Sequence, residues 1–489
     1  MRVFAKNFLI LLILLTSSAT AYAKWTHPLD YKTYQVADGV KKIFKHALTA
    51  DQRQAHIGII IQSMKSKKVL YQKNANRLFT PASVQKLLTA VAALDYLKPS
   101  YIFHTQLLSK GKIINQKLQG NLTVKFSGDP ELTDTDLQQL FHQLHKKGIK
   151  QITGNIYIDN FDYGVIPYPP GWIWDDLSYS FAAPLNAIII DRNYFVLHII
   201  SPKKKASRPL LKTDLPKGIV SFNNALMLVN TAAESCPIGI YSNDSNHYKL
   251  SGCFYRKWKQ QARKLAIRNI TAYAKAIIRL TLRENKIKYT GEITIRKTPK
   301  GAKNLAKFDS EPLSDIVKQM LKDSDNLTTN AVLKKLGETY YRSRGTWQNS
   351  LRALKLLLTK PTGINFKNNL INDGAGLSRY NLLTPRQLSK LLYFAYHKKS
   401  ISDDFMAALP IGGKDGTMKY RLQKQRRGKR VLAKTGSMTG ITALAGYVKT
   451  KHNGVVSFVI MMNGFIKPRR PYIAFEDNIC RLLVNAKKS

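Results

Sequence analysis

Strand and helix patterns recur at both ends of this chain, and a long block of short strand-like runs separates them. A chain arranged this way builds one unit from its two ends and interrupts it with an insertion. His56–Ser63 reads as a buried strand, Lys67-Lys68 as a turn and Val69–Gln72 as a return strand. Beyond Ser83 the period becomes 3.6. Val84, Leu87, Leu88, Val91, Leu94 and Leu97 form one apolar stripe, opened by Pro81 and closed by Pro99. From about residue 100 to 306, strand-like runs at Leu122–Phe126, Gly154–Ile158, Ile188–Ile190 and Phe195–Ile200 alternate with turn signals such as Gly128-Asp129-Pro130 and Pro169-Pro170-Gly171. Helical patterning returns at Pro312–Leu321 and Leu327–Tyr341, and Lys360–Pro385 is loop-rich. Leu432–Thr435, Ala443–Val448 and Val455–Met462 read as strands, the last two joined at Lys451-His452-Asn453-Gly454, and Pro471–Val484 reads as a final helix. The expected fold class is α/β (α+β), with 24–100 plus 307–489 as a discontinuous unit and 101–306 as a β-rich insertion. The 489 residues suit two or three domains.

The first 23 residues have the form of a secretory signal peptide. Arg2 and Lys6 are a positive start, Phe8–Leu15 is an apolar run, and Ala21-Tyr22-Ala23 is a small-x-small cleavage signal. The run is far short of the ~20 residues of a spanning helix. An uncleaved N-terminal anchor is the other reading. No later segment is long and apolar enough to span, so an exported, soluble mature protein is expected.

The formal charge is +48. A surplus of that size ordinarily points to nucleic acid. An exported chain seldom meets nucleic acid, and no binding motif for it is present. Anionic lipid headgroups or acidic wall polymers are the expected counter-surfaces. A basic surface with no partner is the competing reading. Of the three cysteines, Cys236 and Cys253 flank a loop-like stretch that a disulfide would clip, while Cys480 sits in an apolar helical pattern as a buried thiol. No Cys or His spacing suggests a metal.

Three short motifs occur in order: Ser83-Val84-Gln85-Lys86, Ser324-Asp325-Asn326 and Lys434-Thr435-Gly436. A serine hydroxyl is a poor nucleophile until a base takes its proton. Positions i and i+3 of a helix share a face, so Lys86 can meet Ser83. Lys86 serves as a base only when neutral, and burial or a neighbouring cation, here Lys434, lowers its pKa. Ser324 can relay a proton to a leaving amine. The Asn326 amide can hold Lys86 and a substrate backbone. The Lys434–Gly436 strand can pair with an extended peptide, Gly436 allowing close approach. The N–H groups of Ser83 and Ser437 suit an oxyanion hole. Asp325 has a helix-cap reading of equal weight. Serine also precedes lysine by three at Ser109/Lys112 and Ser201/Lys204, but in strand- or loop-like sequence. There is no Gly-x-Ser-x-Gly elbow and no His-Glu-x-x-His, and the turn-like Gly128-Asp129-Pro130 gives Asp129 no catalytic role.

The ordered set resembles that of penicillin-binding proteins and class A β-lactamases. The long gap between Ser83 and Ser324 resembles one group in particular, the class C low-molecular-mass penicillin-binding proteins, D-alanyl-D-alanine carboxypeptidase/endopeptidases. Segments Phe79–Ser83, Ser127–Pro130, Gly171–Asp176, Phe181–Pro184, Asp373–Arg379 and Asp415–Thr417 are similar to that group as well. The resemblance implies a penicillin-recognising serine transpeptidase/β-lactamase-like domain, two small β-rich inserted domains, no cofactor and no metal. It implies a Ser83 acyl-enzyme acting on peptidoglycan stem peptides and crosslinks in the periplasm, and covalent capture of β-lactam antibiotics. It also implies that Asp176, Phe181 and Arg379 reach the diaminopimelate end of the substrate, with Thr435, Gly436 and Ser437 along its backbone. Their blander readings are a turn acid, packing and a structural ion pair. Ala375 stands where a serine is common, and Thr439 where some relatives carry glutamine.

Two alternatives are a β-lactamase and a silent wall-binding scaffold. The first lacks an acid in Lys360–Ile364, where a class A enzyme carries its deacylating glutamate. The second leaves a full set of reacting residues unexplained.

Overall fold

A computed structural model describes residues 31–203, 207–231, 235–423, 430–451, 454–466 and 468–486. Residues 1–23, expected from the sequence to be a signal peptide, lie outside the described residues, as do His452 and Asn453 of the expected connection between the last two strands.

Both chain ends contribute to one five-stranded antiparallel sheet. Its order is Val431–Met438, Ile441–Lys449, Val455–Asn463, His56–Ser63, Val69–Lys73. His56–Ser63 pairs with the distant strand Val455–Asn463 along its whole length, from His56 opposite Asn463 to Ser63 opposite Val456. The near-continuous apolar run His56–Ser63 is explained by burial of both sheet faces. Ile57, Ile59 and Ile61 pack with Val36, Val40, Ile479 and Leu483 of the helices Tyr31–His46 and Arg470–Asn485. Ile60 faces the other core, with the helices Lys86–Tyr96, Asn326–Tyr341 and Pro385–His397. On that side Gly58 makes room for Phe79, whose ring a Cβ would meet at 2.5 Å.

Three sequence expectations change. The stripe after Ser83 is one side of a helix buried all round: every residue from Lys86 to Leu94 is buried. The helix is central, not amphipathic. Ser83 itself lies in a 3₁₀ turn, Ala82–Gln85, that runs into it. Second, the inserted region is not β alone. It carries helices Asp134–Lys146 and Ile270–Glu284, which bury Leu137, Phe141, Ile277 and Ile278 against its sheets. Their start signals are present: Thr133 and Asp136 form a capping box, and Asn269 caps the second helix through Ala272 N–H. Third, Ile188–Ile190 is buried without forming a strand, whereas Tyr194–Ile200 is the middle strand of a three-stranded sheet.

Cys236 and Cys253 are disulfide-bonded, with Cα atoms 5.4 Å apart, and tie the segment before Gly239–Ser242 to the strand His247–Tyr255. Cys480 is free and buried. Among the described residues no helix is long and apolar enough to cross a membrane.

Candidate active site

The 3₁₀ turn places Ser83 and Lys86 one above the other, because i and i+3 eclipse in that geometry. Lys86 Nζ donates to Ser83 Oγ at 2.9 Å, to Asn326 Oδ1 at 2.6 Å and to the Ala375 carbonyl at 2.8 Å. The three bonds fill the donors of an ammonium; a neutral amine donates two of them and accepts the third from the Ser83 hydroxyl. Lys86 is fully buried, while Ser83 is partly open to the cleft. Burial pulls the Lys86 pKa down to about 7, against the opposing pull of Asp373 and Asp325.

Ser324 ends the helix Leu313–Asp323 in the left-handed region, φ 60°. A serine there stores strain of ~1–3 kcal/mol, a pattern common at functional positions. The turn aims its hydroxyl at Lys434, whose Nζ donates to Ser324 Oγ at 2.8 Å and to the Thr435 carbonyl at 2.9 Å. Asp325 caps the next helix, accepting from Thr328 N–H at 2.6 Å, so its helix-cap reading is the one realised. Asn326 joins two regions: its Oδ1 takes Lys86, and its Nδ2 donates to the Phe181 carbonyl at 2.8 Å.

Lys434 is also fully buried, and its pKa lies well below that of an ordinary lysine through burial first and Lys86 second. Desolvation is the first cause of both shifts, and the two buried amines disfavour each other's charge, so Lys434 bears on Lys86 as Lys86 bears on Lys434.

The strand Val431–Met438 is the outermost of its sheet, so Lys434–Ser437 lie along an edge. Gly436 is needed for a reason internal to the protein. A Cβ there would sit 2.9 Å from the Pro81 carbonyl oxygen and 3.1 Å from the Ser83 nitrogen. The strand thus packs directly on the nucleophile turn, with the Ser83 backbone against Gly436, the neighbour of Ser437. Ala82, just before the nucleophile, is buried at φ 47°. Thr435 and Thr417 hydroxyls lie 2.7 Å apart.

The substrate-side candidates are more exposed. Phe181 is 44% exposed and stacks on Tyr179 with ring centroids 5.8 Å apart, so burial does not account for it. Asp176 is half-buried. Desolvation raises its pKa and the Arg379 guanidinium offsets that rise. Arg379 donates to the Thr439 carbonyl at 2.8 Å. Ser180 and Phe181 line a cleft of about 610 Å³ with Ser324, Asn326, Thr417, Arg192 and Lys264. The competitors Ser109 and Ser201 lie elsewhere: Ser109 Oγ donates to the Asn121 carbonyl at 2.7 Å.

One residue of the site was missed. Asp373 is fully buried and accepts from Trp172 Nε1 at 2.8 Å, from Asn381 Nδ2 at 3.0 Å and from the backbone N–H groups of Gly376, Leu377 and Ser378 at 2.7–3.0 Å. It shapes the loop whose Ala375 carbonyl holds Lys86. Because the contact to Lys86 is made by a backbone oxygen, alanine serves at 375 as well as a larger residue. The segment Asp373–Arg379 is conspicuous in sequence, but its pattern points to Ala375 and Arg379 and not to Asp373.

Residues 40–478 match the D-Ala-D-Ala carboxypeptidase 3 (S13) family. The chain belongs to that family. The family's activity, serine-type D-Ala-D-Ala carboxypeptidase, is therefore the activity class of the chain, in agreement with the resemblance carried by the three motifs. It is 34% identical over 437 residues to the D-alanyl-D-alanine carboxypeptidase DacB of Haemophilus influenzae, covering 87% of this chain and 90% of that one. It is 25% identical over 429 residues to the D-alanyl-D-alanine carboxypeptidase of Actinomadura sp., covering 84% and 78%. The crystal structure of penicillin binding protein 4 (dacB) from H. influenzae superposes with TM-score 0.83 at 33% identity, covering 91% of this chain and 99% of that one. A second structure of that protein, at TM-score 0.78 and 32% identity, is complexed with a β-lactam and covers the same shares.

Proposed function

We propose that the carboxypeptidase works through a Ser83 acyl-enzyme with Lys86 as the base. The observation that carries this is the Lys86 amine, buried, lowered to about 7 and hydrogen-bonded at once to Ser83 Oγ and Asn326 Oδ1. The neutral amine takes the Ser83 proton as Oγ attacks the carbonyl of the penultimate D-alanine. The negative oxygen faces the N–H groups of Ser83 and Ser437, donors worth ~3 kcal/mol each in such sites. Ser324, held by Lys434, passes its proton to the departing amine and is restored by the proton that Lys86 took from Ser83, which leaves Lys86 neutral again. Lys86 then activates the water that releases the acyl group. A β-lactam acylates the same serine but leaves its amine tethered, so the enzyme stays capped.

The second activity proposed is crosslink cleavage. The departing amine can belong to a diaminopimelate of a neighbouring stem, and the cleft beside Ser324 and Phe181 has room for one. Asp176 suits an amine and Arg379 a carboxylate, and a diaminopimelate side chain carries both on one carbon. Thr435 and Gly436 hold the peptide backbone along the strand edge. The division into 24–100 plus 307–489 as the catalytic domain, with 101–306 inserted as two subdomains, is part of the same proposal. So are export to the periplasm by residues 1–23 and contact of the +48 surface with anionic membrane or wall polymers. The test is digestion of purified peptidoglycan with the products resolved by mass. Loss of terminal D-alanine together with loss of crosslinked dimers is expected. Intact dimers after complete D-alanine release would remove the endopeptidase claim.

A further inference from the structure

A second cavity, of about 750 Å³, lies behind the Asp373 loop and outside the catalytic cleft. Cavities of ~300–1,000 Å³ are the usual size for small ligands. Val165, Ile166, Pro169, Pro170, Trp347 and Leu351 give it an apolar wall. Val165 and Ile166 are 79% and 63% exposed at its mouth. Trp347 is held in place by its indole N–H, which donates to the Ile166 carbonyl at 3.0 Å.

Lys334, Asn372, Tyr168, Thr346 and Gln348 are the polar residues of its lining. Lys334 stands on the helix that begins at Asn326, is 1% exposed, and lies with Nζ 4.4 Å from the Trp347 ring centroid. Among the described residues, Lys334 Nζ, Asn372 Nδ2 and the Tyr168 hydroxyl have no hydrogen-bond partner. Burial alone lowers the Lys334 pKa to about 7. Buried polar groups are hydrogen-bonded with few exceptions, and each exception calls for an occupant or a reason. Lys334 Nζ and Asn372 Nδ2 can only donate, the Tyr168 hydroxyl can donate or accept, and no acid is among the residues described as lining the cavity. An acceptor that reaches Lys334 and Asn372 together would satisfy both.

We propose that this cavity binds an amphipathic carboxylate, its apolar body against Trp347, Ile166 and Leu351 and its carboxylate on Lys334 and Asn372. A carboxylate is favoured over a neutral carbonyl because it satisfies both donors and pairs with the lysine charge. The inference does not depend on the catalytic reading, since no residue of it is assigned to the reaction.

The experiment is calorimetric titration of the full mature chain with sodium decanoate. Saturable one-to-one binding is expected, and prior acylation by penicillin should leave it intact. Lys334→Met should weaken binding at least about tenfold. Ile166→Asp, on a side chain largely in solvent, should weaken it comparably by setting a negative charge at the mouth. It decides the matter should Lys334→Met fail to fold. Decanol, which keeps the chain and drops the anion, should bind at least about tenfold more weakly. Equal affinity for decanol, unchanged affinity in the variants, loss of binding on acylation, or no saturable binding would each overturn the proposal.

Discussion

The two sides of the catalytic cleft are built by opposite physical means. On one side, the elements from the chain ends hold Ser83, Lys86, Ser324 and Lys434, and both lysines are fully buried with their donors engaged. On the other side, the inserted region offers Asp176 and Phe181, half-buried or exposed, and ties itself to the chemistry through the hydrogen bond from Asn326 to the Phe181 carbonyl and, one step removed, through Trp172 Nε1 to Asp373. Buried amines with lowered pKa are costly and serve reactivity. Exposed side chains on a rigid turn cost little and serve selection among substrates. The two functions should therefore separate under mutation.

The largest effects belong to the buried side. Ser83→Ala should abolish labelling by a fluorescent penicillin while leaving the fold intact, and labelling that persists on a peptide containing Ser109 or Ser201 would move the nucleophile elsewhere. Lys86→Arg keeps the charge but releases no proton near neutral pH. Acylation should fall by about 10²–10⁴, the usual worth of a general base. Retention of more than about a tenth of the rate, a barrier change of only ~1.4 kcal/mol, would mean that another base operates.

Asp373→Asn sharpens the comparison, because it touches the chemistry only through the loop that holds Lys86. An amide would direct N–H atoms at donors that now point to a carboxylate. The loss should be ~1.5–3 kcal/mol of stability for each charged hydrogen bond given up. Acylation should fall by about 10–100-fold through misplacement of Lys86. An unchanged acylation rate with lowered thermal stability would make Asp373 structural only.

Arg379→Ala tests the substrate-facing side from the chain-end unit, since Arg379 stands beside Asp176. A bidentate arginine contact is worth ~1.5–3 kcal/mol. kcat/KM on diaminopimelate peptides should drop by roughly one to two decades, with acylation by a simple penicillin nearly unaffected. Equal losses on both would deny the separation. The smallest effect on chemistry is expected from Cys253→Ser. Opening the Cys236–Cys253 bridge, which spans 17 positions, should cost ~3 kcal/mol of stability in the inserted region. Penicillin acylation should not change, and a parallel loss would show that the region supports the catalytic side after all.

The legibility of the chain in its sequence follows the same division. Ser83-to-Lys86 and Lys434-to-Gly436 were readable because their chemistry depends on local spacing, and His56–Ser63 because both its faces are apolar. Asp373 was not readable as a hub, since its partners Trp172 and Asn381 converge only after folding. The Lys86–Tyr96 helix gave a stripe, yet Thr89, Ala90, Ala92 and Ala93 on its other faces pack as closely as Leu without looking like a core. The helix Asp134–Lys146 was hidden by polar residues on its outer face, although the Thr133 cap was present. The left-handed turn at Ser324 has no glycine to announce it.

The central claim is that a buried, neutral Lys86 takes the Ser83 proton. Its most direct test is the rate of penicillin acylation as a function of pH. A lysine whose folded pKa is lowered to about 7 is protonated and useless below that pH and free above it. The account predicts a rate that rises with pH as a single proton is lost, with a midpoint near 7. A rate that is flat across this range, or that rises only toward the ordinary lysine pKa near 10.4, would contradict it.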